Sequence, residues 1–376
     1  MEQTNAAKPP NPGTLGLLGI AVRAGVAGLT TAVTSPFSRP QSLSYKRDVL
    51  YAALRAAFDV MHAEQQQYMS PSTEEAYVTQ CQKWKFEPDT EEIDYGAKLH
   101  WIGPRNKSYV LLYFHGGGYM APMGAVHWNY MKKIQKQMEE KGLELSIAVL
   151  NYTLTPHARF PGQLRQAVSA LRHLLEKEKR SPSTIVVGGD SAGGNLAAAL
   201  LLHIQAPVPE VDVLNLPSRL LAAMLLSPWI SFDPKQPSFV SNARTDYLTP
   251  GALLTAHTKF SPPGYTSDHH VEPVLATPEV WKDVSQRVTR SMFVWGGMSE
   301  ILADSITEFG TKIKTGFAQN GAEHRVNLVL TPNEGHEEMI TDDLFKLGDR
   351  VNQGGIAVQA WLAETLTNAS QSTHKL

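Results

Sequence analysis

From about residue 90 onward, short apolar runs alternate with stretches of helical periodicity. The strand-like runs occupy 97–103, 109–114, 145–152, 184–189, 220–226, 292–297 and 326–331. Helical patterns lie between most of them, at about 127–141, 163–178, 192–204, 302–319 and 341–366. Several strands, such as "YVLLYF" at 109–114, are apolar throughout rather than alternating. That is the signature of parallel strands covered on both faces. The pattern predicts one doubly wound α/β domain over 86–366. The interval 228–285 breaks the rhythm: it is proline-rich, of mixed polarity, and longer than a crossover helix requires. It reads as an inserted subdomain holding one clear helix start, with Thr249 as N-cap and Pro250 in the first turn.

Upstream, 44–67 places Leu50, Leu54, Phe58 and Met61 on one helical stripe, with Arg47, Arg55, Asp59 and Glu64 elsewhere. Residues 14–35 are small and apolar but carry Arg23 and four glycines. A membrane span needs about 20 predominantly apolar residues. The segment is expected to fold over the protein's own pocket, with a surface-lying or spanning helix as the alternatives. Residues 14–85 therefore read as an N-terminal helical cap segment. Residues 1–13, with Pro9, Pro10 and Pro12, read as disordered.

Composition narrows the function classes. A chain of 376 residues, 42% of them hydrophobic, can bury a full core. Lys+Arg 34 against Asp+Glu 36 leaves a charge of −2, so no basic field invites nucleic acid. The single cysteine, Cys81, excludes a disulfide framework and suits a reducing compartment. A cytoplasmic location is expected, with membrane association through 14–35 as the alternative.

Two glycine clusters carry the chemistry. "TIVVGGDSAGGN" at 184–195 holds Gly189-Asp190-Ser191-Ala192-Gly193, a G-x-S-x-G pattern between a strand and an apolar helix. This context predicts a sharp turn that lifts the Ser191 hydroxyl above the sheet, with the Ala192 amide aimed at developing negative charge. "FHGGGYMAPM" at 114–123 places three glycines at a strand end. A bare backbone there lets amides approach an oxyanion, which assigns Gly117 and Gly118 as donors, Gly116 to the turn and His115 to anchoring the loop. A serine nucleophile needs a base and an acid, which follow it in this chain order. Among His257, His269, His270, His324, His336 and His374, His336 is the candidate base, because "NEGHEEM" follows the last apolar strand. Glu300 is the first carboxylate after "MFVWGG", and Asp304 comes about one helical turn later. Glu300 is the favoured acid and Asp304 the alternative. His269 and His270, beside Asp268 and Glu272, read as solvated loop residues rather than metal ligands.

With "HGGGY" at 115–119, "NYTLTPHARFP" at 151–161, "GGDSAGGN" at 188–195, "SEILAD" at 299–304 and "NEGHEEM" at 333–339, the chain resembles the hormone-sensitive-lipase-like branch of the α/β hydrolases. The resemblance covers about 90–365. It implies an eight-stranded, mostly parallel sheet and a cap built from 14–85 and 228–285. It further implies a serine carboxylesterase acting on short-chain or bulky esters through an acyl-enzyme, without cofactor or metal, as a monomer or homodimer. The family usually shows Asp-Pro-Leu at the acid, where this chain reads Glu300-Ile301-Leu302. Tyr119, Met120 and Trp229 are candidates for the substrate pocket. The N-terminal region looks like eukaryotic, fungal-type members, some of which act on sterol acetates at a membrane and others on esters or lactones in secondary metabolism. Acyl transfer or cyclisation on the same site, and a receptor derived from a hydrolase, are the competing readings.

Overall fold

The computed structural model describes residues 13–345, 347–348 and 351–373. Apart from Gly13, the stretch expected to be disordered lies outside the described residues. One sheet contains β1 (Thr90–Glu92), β2 (Lys98–Ile102), β3 (Tyr109–Phe114), β4 (Leu145–Asn151), β5 (Ile185–Asp190), β6 (Ala222–Leu226), β7 (Met292–Gly297) and β8 (Val326–Thr331). Their order in space is β1-β2-β4-β3-β5-β6-β7-β8. β1 and β2 run antiparallel at one edge, and the pairings from β4 through β3 to β8 are parallel. β1 has no apolar signature in the sequence: it is Thr-Glu-Glu, partly exposed, and exists through its pairing with β2.

The helices are α1 (Thr14–Ser38), α2 (Tyr45–Phe58), α3 (Ala63–Met69), α4 (Thr73–Trp84), α5 (Ala125–Glu140), α6 (Gly162–Glu176), α7 (Ser191–Gln205), α8 (Ser238–Ser241), α9 (Pro250–Phe260), α10 (Pro278–Arg287), α11 (Ala303–Ala318), α12 (Glu338–Phe345) and α13 (Gln353–Thr373). Each sheet face has its own core. Val110, Leu112 and Phe114 of β3 pack with α6, α7, α10 and α11 on one face, while Leu111 and Tyr113 pack with α4, α5 and α13 on the other. β3, β5, β6 and β7 are buried at every position, which explains their unbroken apolar runs. Because these strands are parallel, the loops after β3, β5, β7 and β8 open at one edge, where ligands bind in open α/β sheets.

Three expectations are corrected by the fold. The helix expected over 44–67 is two, α2 and α3. The break holds Asp59, which accepts from Thr249 Oγ1 at 3.0 Å, and His62, whose amide donates to Gln65 Oε1 at 2.8 Å to start the next helix. The helix expected over 341–366 is also two, α12 and α13, with Gly348 between them at φ 52°. Within the interval 228–285, α10 is an ordinary crossover helix packed under α11, so the irregular part ends before it. The helix start at Thr249 forms as expected, its hydroxyl accepting from Ala252 N at 3.0 Å.

α1 packs on α2 through Ile20, which meets Ala57 and Met61. Its other side is open: Leu15, Leu18, Val22, Val26, Leu29, Val33 and Phe37 are all at least 54% exposed. Among the described residues it is the one helix long and apolar enough to cross a membrane, by length and composition. The neighbouring helices are tied firmly to the rest of the protein. Arg47 on α2 is fully buried and ion-paired with Glu338 at 3.3 Å and Asp342 at 2.7 Å. Arg55 donates to the Asp246 carbonyl at 2.6 Å, and Gln67 donates to the carbonyls of Met120 and Thr155, each at 2.8 Å.

Candidate active site

Ser191 sits where β5 turns into α7, at φ 46°, a left-handed conformation that a residue with a side chain rarely adopts. The turn is possible because its neighbours are glycines. A Cβ on Gly189 would lie 2.3 Å from the Gly193 carbonyl oxygen, and one on Gly193 would lie 1.9 Å from that of Phe114. Strand and helix therefore touch backbone to backbone. The Ser191 carbonyl accepts from Trp229 N at 3.0 Å, which fixes the first turn of α7. The first helical amides point to the open edge, and partial positive charge collects there.

The glycine loop after β3 passes beside this turn. Gly117 has φ 100° and Gly118 φ 61°; Gly117 is exposed and Gly118 half-buried. Gly116 is buried, and its amide donates to Asp190 Oδ2 at 2.9 Å. His115 anchors the loop. Its ring stacks on Tyr152 with centroids 4.4 Å apart, and its carbonyl accepts from Tyr152 Oη at 2.7 Å. Burial lowers the His115 pKa to about 4, so the ring is neutral at pH 7.

The loop after β8 brings His336 to the same edge, and the loop after β7 brings Glu300. His336 Nδ1 and Glu300 Oε2 are 2.6 Å apart, both side chains almost fully buried. The other oxygen, Oε1, accepts from Ser227 Oγ at 2.9 Å and Gly297 N at 2.7 Å. Burial alone would drive a proton off His336. The hydrogen bond and charge of Glu300 outweigh it, and the pKa lies above the ordinary 6.5. The chain turns here at Asn333, φ 63°, and Glu337, φ 48°. Asp304 is engaged elsewhere. Its Oδ2 accepts from Ser238 N at 2.7 Å and holds α11 to α8.

The remaining candidates separate. Trp229 lines an apolar cavity of about 190 Å³ with Phe232, Phe239, Leu253, Leu254 and His257. Tyr119 and Met120 are buried; Tyr119 stacks on Phe260 at 4.0 Å and donates to Asn195 Oδ1 at 2.8 Å. His270 is not a solvated loop residue as expected. It is buried, with Nε2 2.8 Å from the Ala206 carbonyl, because the inserted segment folds back on the end of α7.

Sequence reasoning missed four groups at this site: Ser227, Asp246, Tyr113 and Glu337. Asp246 Oδ2 accepts from Ile301 N at 2.7 Å, beside Glu300, and burial raises its pKa to about 6. None stands in a short motif except Glu337, which follows His336 directly.

The chain has relatives among known proteins. A family model for the alpha/beta hydrolase fold matches residues 111–340. The chain belongs to the alpha/beta hydrolase fold family. Rabbit (Oryctolagus cuniculus) arylacetamide deacetylase is 28% identical over 182 residues, 46% of this chain and 42% of that protein. Bovine (Bos taurus) neutral cholesterol ester hydrolase 1 is 31% identical over 144 residues, 37% of this chain and 33% of that protein. The matches thus span less than half the length of either curated relative. Among solved structures, an esterase from the bacterial hormone-sensitive lipase family superposes with a TM-score of 0.59 at 20% identity, covering 93% of this chain and 98% of that one.

Proposed function

We propose that this hydrolase is a serine carboxylesterase of the hormone-sensitive-lipase-like branch. Ser191 attacks the ester carbonyl, His336 takes the proton and returns it to the leaving alcohol, and Glu300 holds the His336 tautomer. Gly117, Gly118 and Ala192 bind the oxyanion. Water then attacks the acyl-enzyme by the same route in reverse. The observation that carries this reading is the buried 2.6 Å pair of His336 and Glu300 at the sheet edge that presents the strained Ser191. The esterases among the relatives support it. Residues 14–85 and the irregular segment 228–277 act together as the cap, supported by the bonds of Arg55, Asp59 and Gln67 to the insertion and the loops.

The test is covalent labelling of the full chain with a fluorophosphonate probe, followed by peptide mapping. The adduct is expected on Ser191 alone, at a rate that rises with pH through a midpoint above 6.5, since the base must be neutral. Labelling elsewhere, or none in a folded protein, would reject the reading.

Glu300 and Asp304 are told apart by their amides. Glu300→Gln should lower kcat by about 10²–10⁴ and move the acid limb of kcat/KM to lower pH, because burial then acts on His336 without its counter-charge. Asp304→Asn should change kcat less than about fivefold, since Asp304 only joins α11 to α8.

The cavity beside Trp229, about 190 Å³, is smaller than the roughly 300–1,000 Å³ of drug-sized sites. It favours a short acyl group such as acetyl. A steryl acetate is the more specific reading, supported by the open apolar side of α1, which suits contact with a membrane. The full chain is expected to float with neutral phosphatidylcholine vesicles, and a Val22→Asp, Leu29→Asp double variant to remain in solution.

A further inference from the structure

Behind the glycine loop two buried carboxyl groups meet, those of Asp190 and Glu337. Glu337 is held at φ 48° while its amide donates to Ser227 Oγ at 3.2 Å, and this strained turn aims its side chain inward. A Cβ on Gly116 would stand 2.3 Å from Asp190 Oδ2 and 2.8 Å from Glu337 Oε1, so the two oxygens converge on that glycine. Asp190 is already the hub of the site. It accepts from the Gly116 amide at 2.9 Å and from Tyr113 Oη at 2.5 Å, with His127 Nε2 3.3 Å away. Among the described residues no N–H or alcohol donor reaches Glu337 Oε1, and His336 Nε2 lies 3.7 Å from it. Two buried carboxylates this close cannot both ionise.

We propose that Glu337 is a positioning residue that acts as the neutral acid, its carboxyl donating to the Asp190 carboxylate and joining the histidine loop, the serine turn and the first amide of the glycine loop into one unit. The role rests on the esterase reading above. Burial, and then the charge of Asp190, push Glu337 far above the ordinary carboxyl range. Burial opposes ionisation of Asp190 too, but His127 and the hydrogen bonds from Glu337 and Tyr113 hold it well below that range. The charged neighbours of Glu337 come from every side. Glu300 and Asp246 add negative charge that favours its proton, and the imidazoles that face the pair are His127, 3.3 Å from Asp190 Oδ2, and His336, 3.7 Å from Glu337 Oε1. Tyr113, Tyr152 and Tyr247 complete the surroundings as neutral hydroxyls. The neutral state matters for catalysis as well. An ionised Glu337 beside His336 Nε2 would stabilise the imidazolium and retain the proton that the leaving alcohol needs.

The test compares parent, Glu337→Gln and Glu337→Ala in the full chain, by p-nitrophenyl butyrate kinetics and by melting temperature, from about pH 6 to about pH 10. The Gln variant keeps a donor toward Asp190 and cannot ionise. It should hold kcat within about threefold and lose the alkaline fall in activity. The Ala variant should lose about 10–100-fold in kcat with KM changed less than about threefold, because the loop amides lose their alignment. A group whose pKa is raised by folding stabilises the protein below its unfolded pKa, and that stability is lost as pH rises through the folded value. The unfolded chain is ionised at Glu337 above about pH 4.3, so the parent's melting temperature should fall as pH rises across this range, and that of the Gln variant should fall less. This readout needs no turnover, so it separates failure of this proposal from failure of the esterase reading. If the Ala variant does not fold, the alkaline limb of the Gln variant decides alone. An Ala variant with the parent's kcat and pH profile would overturn the proposal, as would a Gln variant as impaired as Ala. So would activity lost to EDTA and restored by zinc. Ligand atoms of His127, Asp190 and Glu337 lie within 4.8 Å of one another, and a cation would then stand where the proton is assigned.

Discussion

Ser191→Ala is expected to remove at least about 10⁴ of the rate of p-nitrophenyl acetate and butyrate hydrolysis, leaving the fold intact. The hydroxyl is the only group that the variant deletes. Alanine accepts the same backbone angles at no greater strain, and the bond from Trp229 N to the residue 191 carbonyl survives. What remains is the oxyanion site and substrate binding, which together accelerate attack by water far less than an activated alkoxide does. The check is kcat/KM for both esters beside a melting curve. Equal turnover in parent and variant would remove Ser191 from the mechanism. Turnover in neither, from a folded parent, would shift the reading to a dedicated bulky ester, a transferase or a receptor.

Gly193→Ala should cause the largest loss of stability among single methyl additions at the site. The added Cβ would sit 1.9 Å from the Phe114 carbonyl oxygen and 2.6 Å from that of His115, and both are backbone atoms at the end of β3. No side chain can rotate away, so α7 must move off the sheet. Overpacking of flexible cores typically destabilises by about 1–3 kcal/mol; here the clash is rigid, and at least about 3 kcal/mol is expected. The displaced helix start and glycine loop should also cost about 100-fold in kcat, the usual effect of roughly a 1 Å misplacement. By contrast, Gly124→Ala, where a Cβ meets nothing within 4 Å, should leave both unchanged. Urea denaturation and ester kinetics on the two variants check the pair. Equal stability of the Gly193 and Gly124 variants would mean that the strand–helix contact is looser than described.

Much of this was legible in the residues because local chemistry sets it. The buried strands show as apolar runs, the elbow as glycines around Ser191, and the position of His336 as the first imidazole past the last strand. Glu300 could be ranked above Asp304 only by distance from β7, and the structure shows a physical distinction: one carboxylate meets His336 and the other an amide of α8. What stayed hidden depends on contacts between distant segments. β1 exists only through its partner strand. The break between α2 and α3 depends on Thr249, 190 residues away from Asp59. Asp246 and Ser227 reach the surroundings of Glu300 from loops that no spacing rule connects to it. Glu337 reads as one more charged residue in a polar loop until the turn at φ 48° is known.

The ion pairs of Arg47 with Glu338 and Asp342 bear on how substrate arrives. Arg47 belongs to the N-terminal helices, and Glu338 begins the helix that immediately follows the histidine loop. Lifting α2 would part the buried carboxylate of Glu338 from its cation, at a penalty of about 3–5 kcal/mol. It would also disturb the loop that carries His336. A hinged gate built on α2 is therefore a poor design for turnover, since each opening would dismantle the chemistry that it admits substrate to. The N-terminal helices and the helix after His336 are thus coupled as one rigid body, and any path for substrate has to leave α2 in place.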